Sequence, residues 1–146
     1  MRIYLDCCCI QRPFDDQTQP RIKVETEAVL AILASVQTSD ISLISSEALE
    51  YEISRIPDTR RRNEVLAILS LANERLEVTQ EVVTLAQSLE SRGIPPMDSV
   101  HLALASTARV DYFGTCDDKL LRRGQADHAL GCNIVSVLNL MLEVLK

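Results

Sequence analysis

Along the chain, short β-favouring runs alternate with longer stretches whose apolar residues fall at helical spacing. Ile3-Tyr4-Leu5 ends at Asp6, and the turn-rich Arg12-Pro13-Phe14-Asp15-Asp16 follows, which predicts a strand and then a loop. From about Pro20 to Gln37, Val29, Ile32, Leu33 and Val36 form one apolar stripe with Lys23, Glu25 and Glu27 off it, the pattern of an amphipathic helix. Asp40 to Ser45 reads as a second strand, and Ser46 is placed to cap a helix from Glu47 to Arg55 that Pro57 stops. Arg60 to Leu76 carries Val65, Ile68, Leu69 and Ala72 on one face. A further helix runs from about Thr79 to Arg92 with Gly93 at its end, so the two stretches predict a helical hairpin. After Pro95-Pro96 a helix is expected over Met97 to Arg109, with Val100, Leu104 and Thr107 on its stripe. Tyr112 to Thr115 reads as a third strand, Lys119 to Arg123 as a helical turn, Asn133 to Ser136 as a fourth strand and Val137 to Lys146 as a last helix.

Strands separated by helices imply right-handed βαβ units, hence an α/β fold with a mostly parallel sheet and helices on both faces. Ligands of such sheets gather outside the carboxyl ends of the strands. Composition narrows the picture further: 146 residues, 47% hydrophobic and 25% charged, suit one soluble domain over residues 1–146. With two Phe, three Tyr and no Trp, the core has to be built from Leu, Ile, Val and Ala, and aromatic platforms for stacking bases are not expected. No apolar run approaches the roughly 20 residues that span a bilayer. Arg2 and Asp6 interrupt any secretory segment, so a cytoplasmic location without membrane association is expected. The 15 Lys and Arg against 21 Asp and Glu give a net charge of −6, which confines any nucleic-acid contact to local basic groups. Five cysteines, three of them consecutive at Cys7-Cys8-Cys9, show no repeated CxxC spacing. They read as reduced thiols filling the core rather than as a disulfide framework or a zinc knuckle.

The acids carry the candidate chemistry. Asp6 closes the first strand and Asp117 the third, Asp98 opens a helix, and Glu52 lies on the helix leaving the second strand, so one rim of the sheet could hold all of them. Two carboxylates about 4 Å apart repel by roughly 4 kcal/mol at an effective dielectric near 20, so such a cluster has to be protonated or neutralised by a cation. Oxygen donors without a His-Cys set favour Mg²⁺ or Mn²⁺, the usual equipment for hydrolysing a phosphodiester. Glu50 and Glu47 stand close enough to Glu52, and Asp118 to Asp117, that spacing alone leaves open which acid serves.

These residues resemble the PIN domain nucleases, whose bacterial members include the VapC-type toxins of toxin–antitoxin pairs. The resemblance covers essentially the whole chain. It rests on Ile3-Tyr4-Leu5-Asp6, on Ser46 with Glu52 six residues on, on Met97-Asp98-Ser99-Val100-His101-Leu102-Ala103, and on Thr115-Cys116-Asp117. It implies a PIN-like three-layer sandwich with a mostly parallel central sheet flanked by helices. It matches Asp6, Glu52, Asp98 and Asp117 to the family's acidic quartet, which holds Mg²⁺ or Mn²⁺ for RNA cleavage leaving 5′-phosphate and 3′-hydroxyl ends. It also implies an RNA substrate and a small antitoxin protein as partner, with a homodimer open beside a monomer. Cys7 departs from the small hydroxyl residue or Asn that often follows the first acid in this family.

Around the quartet, Thr115 is a candidate to orient a ligand through its hydroxyl and equally a plain strand residue, and Ser46 has the same two readings with its helix cap. His101 stands one turn after Asp98 and within reach of it, although a helix histidine satisfied elsewhere is the plainer account. Asp118 is a further candidate beside Asp117. Lys119, Arg122 and Arg123 follow these acids and Arg12 follows Asp6, so local positive charge could hold phosphates there. Arg60, Arg61 and Arg62 read as a solvated helix face. Two rival enzymes or modules begin similarly. A phosphatase of the haloacid-dehalogenase type needs a second Asp where Cys8 stands. A phospho-receiver-like metal-binding domain needs an acidic pair at the first strand end, where Asp6 is single, and remains the main α/β alternative. A catalytically silent interaction module, its acids only solubilising the sheet edge, is a third reading, which metal dependence would separate from a nuclease.

Overall fold

Ile3, Tyr4 and Leu5 are consecutive and fully buried, so both faces of their strand are covered, as in the middle of a parallel sheet. The computed structural model describes residues 1–146 and places this strand, β1 (Arg2–Leu5), at the centre. With β2 (Ser42–Ser46), β3 (Glu74–Leu76), β4 (Tyr112–Thr115) and β5 (Asn133–Ser136) it forms one sheet in the order β3-β2-β1-β4-β5, every pair parallel. Eight helices flank the sheet: α1 (Cys7–Gln11), α2 (Pro20–Thr38), α3 (Glu47–Ser54), α4 (Thr59–Leu69), α5 (Gln80–Ser91), α6 (Pro96–Thr107), α7 (Asp118–Ala126) and α8 (Val137–Val144). The result is the α/β sandwich expected from the alternation of runs and stripes. One apolar cluster of 34 buried residues runs through it, built mainly of Ile, Leu, Val and Ala. No helix is long and apolar enough to cross a membrane.

Three local expectations are corrected. The segment after Asp6 is a helix, α1, rather than a loop, because the Asp6 side chain accepts from the Cys7 N–H and caps it. The helix begun at Thr59 ends at Leu69 instead of reaching Leu76, and residues 74–76 become the edge strand β3. Asn73 N–H donates to the Leu43 carbonyl, and Glu74 and Arg75 are held by Arg2 and Glu50. A strand this short has no periodicity to reveal it, and pairing with β2 decides its conformation. The helical hairpin therefore does not form, and α5 packs against α6 instead. Arg61 also departs from a solvated face: it donates to Gln11, to the Phe14 carbonyl and to Asp15, tying α4 to the segment after α1.

Candidate functional site

The strand order reverses its direction of growth between β1 and β4, and the carboxyl ends of these two neighbours are the position at which α/β sheets hold ligands. Asp6 follows β1 directly. Its backbone N–H donates to the Gly114 carbonyl at 2.9 Å, which fixes it beside the end of β4. Its Oδ1 accepts from Cys7 N–H at 2.8 Å, and its Oδ2 accepts from the Thr115 hydroxyl at 3.0 Å and the Cys8 thiol at 3.3 Å. Thr115 in turn accepts from the Asp117 N–H at 3.0 Å, so one hydroxyl joins the first and last acids of the quartet. Burial pushes the Asp6 carboxyl well above its usual range, and Cys8 and Asp98 add to the rise against the opposing pull of His101.

Glu52 sits on α3, with its carboxylate on Nε2 of the fully buried His101. The other ring nitrogen, Nδ1, meets the Tyr4 hydroxyl at 2.6 Å. Tyr4 also bonds the Ser46 hydroxyl at 2.7 Å, and Ser46 accepts from Leu49 N–H as the cap of α3. These contacts form one continuous chain from Leu49 N–H to Glu52, and it runs in a single direction when Nε2 carries the one ring proton. Leu49 N–H donates to Ser46, Ser46 to Tyr4, Tyr4 to Nδ1, and Nε2–H to Glu52. Burial raises the Tyr4 phenol well above its usual value, which keeps its proton available for this bond. Tyr4 is held in place by stacking on Phe113, ring centres 5.4 Å apart.

Asp98 lies in the first turn of α6 and is half-buried. Its carboxyl is raised by burial first and then by Asp117, with Glu52 also contributing, so these acids share one electrostatic neighbourhood. Asp117 is exposed and caps α7 through the N–H groups of Lys119 and Leu120. The structure thus brings Asp6, Glu52, Asp98 and Asp117 to one rim. It sends the competing acids elsewhere: Glu50 pairs with Arg75, Glu47 accepts from Val78 N–H, and Asp118 pairs with Arg21. His101 does not bond Asp98, since Glu52 and Tyr4 take both its nitrogens.

The basic residues divide. Lys119 and Arg122 line a groove of about 650 Å³ beside Asp117, together with Arg12 and Arg21. Arg12 is committed to Asp15 and Glu25, and Arg21 to Asp118 and Glu25. Arg123 donates to the Gly93 carbonyl and borders a different hollow with Arg92 and His128.

Two of the four acids, Asp6 and Glu52, stand close enough to share one divalent cation, and Asp98 and Asp117 lie outside that group. Carboxylate oxygens of Asp6 and Glu52 lie within 4.8 Å of one another in a group that also includes His101, whose nitrogens are already used. Salt bridges in the molecule reach neither Asp6, Asp98 nor Asp117, leaving the raised carboxyls without a cationic side chain. A family model described as the PIN domain matches residues 3–125. The chain belongs to the PIN domain family. No curated protein matches it in sequence. Among solved structures, this PIN domain is similar to the crystal structure of VapBC2 from Rickettsia felis bound to a DNA fragment from their promoter. The TM-score is 0.56 at 13% identity, over 93% of this chain and 98% of that one, a likeness of fold.

Sequence reasoning missed Tyr4, Cys8 and Arg21 in this PIN domain. Tyr4 is the one polar tip inside a run otherwise read as a buried strand, and that was the available signal. Cys8 supplies the side-chain contact to Asp6 that the Cys7 thiol, turned into the core and accepting from Gln11, does not. Arg21 had no local signal, since its partner Asp118 is 97 residues away.

Proposed function

We propose that residues 1–146 act as one domain, a metal-dependent ribonuclease that hydrolyses RNA phosphodiester bonds and serves as the toxin of a pair held by a small antitoxin. The observation carrying this reading is the convergence of Asp6, Glu52, Asp98 and Asp117 at the ends of β1 and β4, two of them with raised carboxyls and no paired cation. Asp6 and Glu52 would hold Mg²⁺ or Mn²⁺ from the buried side, and Asp98 and Asp117 from the open side. Such an ion, when bound, offsets the acids' mutual repulsion and activates water for attack on a phosphodiester. Thr115 and Cys8 hold Asp6 in orientation, and His101 does the same for Glu52. Lys119 and Arg122 meet the RNA phosphates beside Asp117, with Arg12 and Arg21 adding positive potential rather than free donors. Cleavage leaves 5′-phosphate and 3′-hydroxyl ends. The resemblance to VapC-type toxins and the fold shared with VapBC2 support the antitoxin partner and the cytoplasmic setting.

The test is cleavage of a labelled RNA with Mn²⁺ or Mg²⁺ and with chelator. Asp6→Asn and Glu52→Gln are expected to lose at least about 100-fold in rate. Glu50→Gln, whose carboxylate faces Arg75, is expected to stay near wild type. Cleavage that persists in chelator overturns metal dependence. Absence of metal binding by calorimetry, with quartet variants behaving as wild type, would establish the silent interaction module.

A further inference from the structure

Cys8 and Cys9 stand in the first turn of α1, and Cys116 follows β4, 107 residues from Cys9. Their three sulfurs lie within 4.8 Å of one another, with Cys9 Sγ and Cys116 Sγ 3.5 Å apart. Tetrahedral zinc–thiolate bonds of about 2.3 Å put their sulfurs roughly 3.8 Å apart, so small side-chain adjustments suffice to bring all three onto one ion. Cys9 is fully buried in the apolar core, whereas Cys8 packs against that core with its sulfur turned to polar groups as well. Cys8 is half-buried, and its sulfur meets polar partners: Asp6 Oδ2, the Thr115 hydroxyl at 3.7 Å and the Cys116 N–H at 3.4 Å. The trio is therefore open on one side, toward solvent and two oxygen donors.

We propose that Cys8, Cys9 and Cys116 form a binding site for one thiophilic d¹⁰ cation of the zinc class, distinct in donor chemistry from the carboxylate rim. Soft thiolate ligands select such ions, whereas the oxygen ligands of the rim select Mg²⁺ or Mn²⁺. Each sulfur that binds releases its proton to solvent, and no electron is transferred. The site does not depend on the chain being a nuclease.

The full chain, reduced with a phosphine and freed of metal, is titrated with Cd²⁺ while the ultraviolet sulfur-to-metal charge-transfer absorption is followed. Carboxylates give no such band, so ions held at the rim do not contribute. The expected result is a band that saturates at one Cd²⁺ per chain and is reversed by Zn²⁺. Cys8→Ser and Cys116→Ser are each expected to weaken binding at least about tenfold, and Cys132→Ser to leave it unchanged. If Cys116→Ser fails to fold by circular dichroism, Cys8→Ser decides, since a hydroxyl at this half-buried position can keep the bonds to Asp6 and Thr115. Absence of the band in wild type, or its full retention in folded Cys8→Ser, overturns the site.

Discussion

Glu52 owes its orientation to a histidine that solvent never reaches and to a tyrosine on the opposite side of that ring. Removing the Tyr4 hydroxyl keeps the aromatic stack on Phe113 but leaves Nδ1 of His101 without its donor. An unpaired buried polar atom costs about 1–3 kcal/mol. Groups that orient a metal ligand typically contribute about 10–100-fold to metal affinity or activity. Tyr4→Phe is therefore expected to unfold at lower denaturant and to cut RNA at least about tenfold more slowly at fixed Mn²⁺. Paired denaturation and rate measurements check this; an unchanged rate would leave the Tyr4 bond with a packing role alone.

Among the elements, α6 sets stability against ligand placement most directly. An acid in a first turn ordinarily favours its helix, yet Asp98 is half-buried and faces Asp117 and Glu52. Asp98→Asn removes the repelled charge, so the metal-free variant is expected to melt a few degrees higher than wild type while losing most cleavage and part of the stabilisation by Mn²⁺. Thermal melts with chelator and with Mn²⁺ decide it; a lower melt in chelator with an undiminished gain from metal would make Asp98 a helix-start residue only. Elements differ in how far they could be read ahead. The stripe of α2, the Ser46 cap and the strand ends at Asp6 and Thr115 are local patterns, and they stand where the spacing put them. β3 and α1 were illegible because a short edge strand and a five-residue helix are set by partners rather than by period. Asp6, Asp98 and Asp117 were named from their place at element ends and Glu52 from the helix that leaves the second strand, whereas the turning of Glu50 toward Arg75 follows only once β3 lies beside β2.

At the scale of the whole molecule, charge governs stability and, under the proposed function, RNA binding. Asp6 and Asp98 carry raised carboxyls, so the folded state holds protons that the unfolded chain has released. Their contribution to stability is greatest below the ordinary value of 3.8 and is lost as pH rises through the raised folded values. Metal-free protein is thus expected to lose stability from these groups over that interval, and Mn²⁺ to restore it, as denaturation at several pH values with and without the ion will show. RNA affinity is expected to fall with salt, and Lys119→Ala with Arg122→Ala to flatten the slope by about 1.4, roughly 0.7 for each phosphate no longer neutralised. Arg123→Ala, turned to Gly93, is expected to leave the slope unchanged, a contrast read from titrations at two salt concentrations. The central position of β1 acts at this scale too. Its flanking partners are β2 and β4, and Asp6 is fixed to Gly114, so the first strand synthesised waits for almost the last to be made. At about 5–20 residues per second, a ribosome spends several seconds extending a chain whose acids are still scattered along it. The rim of acids is therefore assembled only late in synthesis, once Gly114 and Thr115 have joined the chain and can hold Asp6 in place.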